Sequence, residues 1–379
     1  MHRNVQIDFF RGLFLVIMTL DHLQYLPFKS LSRFTLDYTY QTFGFVATVE
    51  GFVFLSGLMV GMVYTPKLHS HHPNQFTHLV YTRIWHIYKY HLAVFTLIAC
   101  LFSIPLFSQS WPPMWDSIYP LITDPVLSLA QAAFLMYQPG LQDVLPMYMI
   151  FLGFTPWVLR KLESGNILPL IMLSLFLWAL GQGRPQTYVA THLGLFWGWF
   201  ELASWQLVFF SGLLLGYLHC KRPNFSIPLT PHYLITAIAI LVGLMLYRHQ
   251  YSWPFLNLPY DRLFMDKNLG IVRVINASAL GYLLYALCQY QPTWFKGKFL
   301  STLGQHSLLV FSYHVVLCYA LTPLRPYIGD LHLITQVALL LLATTSLWIP
   351  IFIKSHWVGL TKFISRIPHT SYLLEKRPR

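Results

Sequence analysis

The chain has 379 residues, of which 55% are hydrophobic and only 10% are charged. Soluble domains carry about 25% charged residues, so this composition excludes an ordinary soluble domain, a disordered chain and a disulfide-rich secreted scaffold. The net charge of +12 comes from short loops between apolar segments. It therefore points to the lipid bilayer as a partner and away from nucleic acid, which requires a basic face.

Ten apolar segments follow one another along the chain, and a spanning helix needs about 20 residues. They lie near 9–26, 41–64, 90–107, 144–159, 167–181, 201–219, 232–247, 270–289, 303–321 and 333–353. We predict an all-α, polytopic integral membrane protein of about ten transmembrane helices. Residues 1–379 are expected to form a single transmembrane domain.

A further apolar segment near 118–137 is interrupted by Pro120 and Pro125 and contains Asp124. We interpret it as interfacial or re-entrant; if it spanned the membrane, every later segment would invert. With ten spans, most of the 25 Lys and Arg residues lie on the side of the two termini. The opposite connection 108–143 has Asp residues but no Lys or Arg, so the positive-inside rule predicts cytoplasmic termini.

Small residues recur at one spacing in two segments, at Gly57 and Gly61 and again at Gly212 and Gly216. Such faces favour close helix packing, although an internal duplication would leave the same pattern. The four cysteines are scattered and show no metal, haem or disulfide spacing. We therefore predict ordinary membrane-core cysteines and no metal site.

The first segment carries four polar candidates, Asp8, Arg11, Asp21 and His22. A charge at mid-bilayer is costly enough to make each of them a functional candidate. His22 follows Arg11 by eleven positions, so both side chains share one helix face about 16 Å apart. Asp8 lies one turn from Arg11 and can pair with it.

Three other segments place polar residues between the midplane and the outer surface: Glu50, Arg273 with Asn276, and Ser312 with His314. Each residue could instead simply hold helices together. A histidine beside a carboxylate suits general-base chemistry, because the carboxylate orients the imidazole. We predict His22 as the base, oriented by Glu50 or Asp21, with His314, Arg273 or Asn276 stabilising an oxyanion.

The stretch 81–91 interleaves basic and aromatic residues and includes Arg83 and Lys89. Interfacial anchoring explains such a pattern. A site for the phosphates and the adenine of a coenzyme explains it equally, since guanidinium groups bind phosphate.

At these residues the chain resembles a known family. Asp8-Phe9-Phe10-Arg11-Gly12, followed by Asp21-His22, resembles the start of the acyltransferase-3 superfamily, whose hallmark is an arginine, ten residues and a histidine. Within that superfamily the chain is most similar to the OpgC type, named for the succinylation of osmoregulated periplasmic glucans. The further matching stretches are 50–57, 83–91, 143–148, 267–276 and 304–308 with Phe311 and His314.

The resemblance implies an O-acyltransferase of the bacterial inner (plasma) membrane. It would use a cytoplasmic acyl-CoA as donor substrate, with no tightly bound cofactor, and pass a succinyl or acetyl group to a hydroxyl of an outer-face glycan. His22 would be the essential histidine. The donor side would comprise Asp8, Arg11, Arg83 and Lys89, and the acceptor side Asp143, Asp261, Lys267, Arg273 and Asn276.

One other function suits the same residues, a transporter or flippase for an anionic or sugar substrate, because midplane charges are typical of transport. A purely structural or sensory protein leaves the many buried ionisable groups unexplained. The sequence leaves open the acyl group, the acceptor, the oligomeric state, and whether transfer is direct or passes through an acyl-enzyme.

Overall fold

The computed structural model describes residues 4–31, 41–102, 115–195, 197–222, 224–249 and 267–364. Within these ranges the regular elements are helices, as the composition predicted. In chain order they are α1 (Val5–Tyr25), α2 (Thr48–Ser70), α3 (Pro73–Phe102), α4 (Trp115–Thr123), α5 (Pro125–Ala133), α6 (Val144–Glu163), α7 (Ile167–Gly181), α8 (Pro185–Leu193), α9 (Leu202–Lys221), α10 (Pro231–Arg248), α11 (Ile271–Tyr290), α12 (Lys298–Gln305), α13 (Ser307–Leu321), α14 (Arg325–Gly329), α15 (Leu333–Thr345) and α16 (Ile349–Ile364).

Seven stretches of the described chain are long and apolar enough to cross a membrane, and the pair α7–α8, bent by 48°, would make an eighth. Helix α1 is long enough but carries Asp8, Arg11 and Asp21, and α6 ends in a basic turn. Each of the ten predicted segments overlaps one or two of these helices. The all-α membrane fold is therefore confirmed, while the count of ten spans and the orientation of the termini stay predictions.

Helix α3 departs most from the predicted boundaries. The segment expected near 90–107 belongs to a 30-residue helix that begins at Pro73. Such a helix is about 45 Å long, whereas the hydrocarbon core is about 30 Å thick, so part of α3 extends beyond the apolar layer. Arg83 and Lys89 consequently lie on one continuous helix rather than in a loop.

The segment near 118–137 forms two nine-residue helices, α4 and α5. Asp124 ends the first and caps the second, where its carboxylate accepts a hydrogen bond from the backbone N–H of Leu127 at 3.0 Å. A nine-residue helix is about 13.5 Å long, less than half of the hydrocarbon thickness. Neither helix can cross the membrane alone, which agrees with the interfacial or re-entrant interpretation.

Helices α2 and α9 pack through the two small-residue faces noted in the sequence. A Cβ atom on Gly57 would overlap the carbonyl oxygen of Phe209, and one on Gly212 would overlap that of Phe54. Gly61 and Gly216 make equivalent contacts one turn further along both helices. The packing interpretation of these glycines is thus confirmed, because only glycine allows so close an approach.

The same contacts establish the relative direction of α2 and α9. Positions advance together along both helices, from Gly57 and Gly212 to Gly61 and Gly216, so the helices run parallel. Parallel neighbours require an odd number of crossings between them. If α3, α6 and the bent pair α7–α8 each cross once, as the sequence predicts, they supply three, and a crossing by α4–α5 would make four. The register therefore favours a topology in which α4–α5 does not span.

A second close contact places α1 beside the junction of α12 and α13. Gly12 and Gly304 meet backbone to backbone, and a Cβ on either would overlap the other helix. The segment predicted near 303–321 is broken here at His306, between α12 and α13. Helix α13 starts at Ser307, which is thereby brought next to Arg11.

Candidate active site

The centre of the site is a pair of histidines on α1 and α13. His22 Nδ1 and His314 Nε2 lie 3.0 Å apart, within hydrogen-bonding distance, and the two rings meet edge to edge, with centroids 5.3 Å apart and planes inclined by 20°. His314 is fully buried, whereas His22 is half-buried in the last turn of α1. The structure therefore brings together two of the predicted catalytic residues, from segments nearly 300 positions apart in sequence.

Hydrogen-bond partners assign the tautomers of this pair. His314 Nδ1 lies 2.8 Å from the carbonyl oxygen of Phe311, which can only accept, so Nδ1 carries the proton. In a neutral ring His314 Nε2 is then an acceptor, and His22 Nδ1 donates to it. The lone pair of His22 is consequently on Nε2, where a general base needs it.

Glu50 was expected to orient His22, but its contacts lead elsewhere. Oε1 accepts from the guanidinium Nε of Arg273, and Oε2 accepts from the backbone N–H of Ala47 at 3.0 Å. Glu50 and Arg273 are both buried, 2% and 1% exposed. Within the described residues His314, not Glu50, is the group hydrogen-bonded to His22, and Arg273 has a carboxylate partner before any substrate arrives.

Asn276 is engaged in the same way by the turn that leads into α2. Its Oδ1 accepts from the backbone N–H of Phe45 at 2.6 Å, and its Nδ2 donates to the carbonyl oxygen of Phe43 at 3.0 Å. Gly44, between these two residues, has φ +102° and no room for a side chain against Asn276. Asn276 therefore holds this turn, the helix-joining role that the sequence left as an alternative.

Two arginines meet at an apolar pocket between α1, α2, α3, α6, α9 and α13. Arg11 Nη2 donates to Ser307 Oγ at 2.6 Å. Arg83 and Arg11 both lie close enough to the Tyr148 hydroxyl to act on it electrostatically. The described lining includes no carboxylate; it consists of Arg11, Phe52, Val53, Ser56, Arg83, Val144, Leu145, Met147, Tyr148, Phe151, Phe209, Ser307, Leu308 and Phe311. Such a cavity suits an anionic group with an apolar arm.

Aromatic rings separate this cavity from the histidine pair. The ring of Phe311 stacks on that of Phe52 at 6.3 Å and meets the ring of His314 edge-on at 5.0 Å. Arg11 and His22 are about 16 Å apart along α1. The site thus has an arginine end and a histidine end on one helix face, with Phe52 and Phe311 between them.

The other two residues predicted for the donor side lie apart from the cavity lining. Lys89 is exposed, and its ammonium lies 5.7 Å from the ring centroid of Trp85. Asp8 is buried in the first turns of α1, beside Gly304. Asp21 is likewise buried, directly before His22.

Asp143 and Lys267, predicted for the acceptor side, meet at Trp199. Asp143 Oδ2 accepts from the backbone N–H of Trp199 at 2.8 Å, and the ammonium of Lys267 lies 3.9 Å from the ring centroid. Burial raises the pKa of Asp143 to about 6, although backbone N–H groups partly offset that effect. Asp261 lies outside the described residues.

Sequence reasoning missed three residues of this site: Tyr148, Ser307 and Cys318. Tyr148 and Ser307 stand within the stretches on which the resemblance rested, but neither is charged. Cys318 is buried on α13, one turn after His314, with Sγ close to both histidines. The signal for it was the four-residue spacing, which puts two side chains on one helix face.

The comparisons with known proteins bear on the whole chain. The family described as OpgC protein matches residues 3–358. No curated protein and no solved structure matches the chain. Because the family match covers nearly every described helix, the chain belongs to the OpgC protein family, which makes it a membrane-embedded acyltransferase that modifies glucans.

Proposed function

We propose that this protein is an acyl-CoA-dependent O-acyltransferase of the bacterial inner membrane, with both termini in the cytoplasm. It moves an acyl group, succinyl or acetyl, to a hydroxyl of a periplasmic glucan or other outer-face glycan. The observation that carries the proposal is the hydrogen-bonded sequence from Phe311 O through His314 to His22. It places the lone pair of a membrane-embedded imidazole on His22 Nε2.

The chemistry assigned to His22 is general-base catalysis. The acceptor hydroxyl gives its proton to His22 Nε2 while its oxygen attacks the thioester carbonyl. The new C–O bond forms as the C–S bond breaks, and the leaving coenzyme A thiolate takes the proton back from His22. The products are the glycan ester and free coenzyme A, with no covalent acyl-enzyme in the direct route we favour.

The role of His314 is to position the base. Its Nε2 accepts a hydrogen bond from the Nδ1–H of His22, and its own Nδ1–H donates to the Phe311 carbonyl oxygen. This arrangement resembles the orienting acid of a catalytic triad, with a second imidazole and a backbone carbonyl in place of the carboxylate. A neutral imidazole costs less to bury here than a carboxylate would, because it adds no charge within the membrane.

The donor is assigned to the arginine end. Arg11 and Arg83 carry permanent positive charge into a largely apolar cavity, which suits anionic groups of coenzyme A with its thioester arm directed past Phe52 and Phe311. The acceptor is assigned to the surroundings of Trp199, where Asp143 and Lys267 offer polar groups beside an aromatic ring. Arg273 and Asn276, engaged by Glu50 and by the turn at Phe43–Phe45, position α2 and α11.

The experiment is thioester turnover by the protein purified in detergent. Free thiol released from succinyl-CoA and acetyl-CoA is followed with and without a glucan acceptor, alongside His22→Ala. Release that requires both the acceptor and His22 supports direct transfer. An acyl-enzyme trapped without acceptor would overturn the direct route. Glucan or anion uptake into proteoliposomes without any thiol release would establish a transporter instead.

A further inference from the structure

A thiol completes a group of three metal-binding side chains at the histidine pair. One ring nitrogen of His22, one of His314 and the Sγ of Cys318 all lie within 4.8 Å of one another. His314 and Cys318 stand four residues apart on α13 and so share a face of that helix. Of the described residues, this is the group of three or more His, Cys, Asp or Glu side chains close enough to hold one ion.

The geometry is close to that of a tetrahedral site. With metal–nitrogen distances of about 2.0 Å and a metal–sulfur distance of about 2.3 Å, the ligand atoms of such a site lie roughly 3.3–3.6 Å apart. The facing nitrogens of the two histidines are already 3.0 Å apart. The Sγ of Cys318 lies within 4.8 Å of both nitrogens, so it must approach them by up to about 1.2 Å to bring all three donors around one ion.

The surroundings of His314 match those of a metal-bound imidazole. Such a ring usually donates its other N–H to a carbonyl or carboxylate, which fixes the tautomer. His314 Nδ1 does this with the Phe311 carbonyl at 2.8 Å and leaves Nε2 as the donor atom. Two imidazoles and a thiolate are ligands preferred by Zn²⁺ and similar soft or borderline divalent ions.

We propose that His22, His314 and Cys318 form an inhibitory site for a divalent cation of the Zn²⁺ class. The inhibitory role rests on the proposed function, in which His22 Nε2 is the base. An ion can bind His22 Nδ1 only when the ring proton shifts from Nδ1 to Nε2, and Nε2 then has no lone pair with which to act as the base. Cys318 releases its proton to solvent on binding, and neither histidine changes its proton count, so one proton leaves per ion.

Charge and access are both accommodated. The thiolate, with a chloride ion from solvent as fourth ligand, neutralises a divalent cation, as burial in the membrane requires. His22 is half-buried, whereas His314 and Cys318 are fully buried, so the ion reaches the group from the His22 side.

Binding is tested with Cd²⁺ or Co²⁺ on the detergent-purified full chain, through the thiolate-to-metal charge-transfer absorption. The starting protein carries Ser at Cys100, Cys220 and Cys288, so Cys318 is the remaining thiol. We expect one equivalent of ion, one proton released, and loss of the band in Cys318→Ser and Cys318→Ala. His314→Ala should weaken binding about tenfold or more.

A matched control is His69→Ala, at an exposed group of His69, Glu163 and Lys221 on three other helices. Its charge-transfer band and its stoichiometry should be unchanged. A protein with Cys318 as its remaining thiol that gives no band, or a band that His314→Ala leaves at full affinity, overturns the site.

The inhibitory role is tested separately by thiol release from acyl-CoA. Zn²⁺ should stop turnover of the wild-type chain and a chelator should restore it, while the same Zn²⁺ concentration should remove far less of the turnover that Cys318→Ser shows without metal. Equal inhibition of both proteins overturns the regulatory role even when the band is present. A band without turnover from any acyl-CoA supports the metal site and overturns the proposed function together with the inhibition.

Discussion

Two buried polar pairs tie neighbouring helices together, and their hydrogen bonds separate a chemical site from a structural one. Glu50 and Arg273 neutralise each other, and the second carboxylate oxygen is taken by the N–H of Ala47. The hydrogen bonds of His22 and His314 run in one direction, from His22 towards the Phe311 carbonyl, and leave a lone pair at His22 Nε2. Burial of ionisable groups alone would have marked both pairs as catalytic.

The largest expected effect comes from removing the base. His22→Ala should lower thiol release from acyl-CoA about 10²–10⁴-fold, the usual contribution of a positioned general base, with little change in melting temperature. The control is His192→Ala on an exposed turn, which should keep full turnover. His314→Ala should lie between the two, since it removes only the acceptor of the His22 Nδ1 proton. Full turnover by His22→Ala would show that the histidine pair is no more catalytic than the ion pair of Glu50 and Arg273.

The ion pair should respond in stability rather than in chemistry. Glu50→Ala leaves the Arg273 guanidinium buried without its carboxylate, which typically costs about 3–5 kcal/mol of unfolding free energy. The double variant Glu50→Leu with Arg273→Met should recover most of that loss, because the burial of two charges is removed together. Denaturant unfolding in detergent gives the free energies. A double variant no more stable than Glu50→Ala would contradict a purely structural pair.

The carboxylate of Asp143 accepts hydrogen bonds from backbone N–H groups, and its titration should make the unfolding free energy of the protein depend on pH. Its pKa rises from 3.8 to about 6 on folding, so its contribution is fully present below pH 3.8 and is lost as the pH passes 6. A two-unit shift corresponds to at most about 3 kcal/mol. Asp143→Asn keeps an acceptor for Trp199 N–H and should therefore gain stability over the wild type between pH 4 and 7. Parallel unfolding curves across that range would disprove the raised pKa.

The fold was predictable because the local composition of a segment is enough to identify a membrane helix. Apolar length located all ten segments, and the charge pattern of the connections favoured an interfacial or re-entrant segment at 118–137. What composition could not give was a boundary set by tertiary context, such as the extension of α3 back to Pro73 or the break at His306. The polar first half of α3 is helical because Phe76, Val80 and Ile87 on its inner face are buried against the rest of the protein.

The sequence predicted which residues belong to the candidate site better than it predicted which of them contact each other. Buried depth singled out His22, Glu50, Arg273, Asn276 and His314, all of which the structure buries or half-buries. Depth does not report which neighbour a side chain faces, so Glu50 was assigned to His22 although it meets Arg273. Uncharged partners such as Tyr148 and Cys318 carry no depth signal, because tyrosine and cysteine are common in membrane cores.

The smallest expected effect tests whether Asn276 is a clamp or a ligand. Asn276→Ala leaves the N–H of Phe45 and the carbonyl of Phe43 without their partner, at a cost of about 1–3 kcal/mol. Asn276→Asp keeps the acceptor but not the donor and should fall between Ala and wild type. Gly44→Ala should be destabilising for the same reason, since its Cβ would displace the Asn276 amide.

Because Asn276 positions α2 rather than touching substrate, the variants should lose stability with the KM for acceptor unchanged. A raised acceptor KM in a protein of wild-type stability would instead make Asn276 a substrate ligand and extend the chemical site beyond the histidine pair.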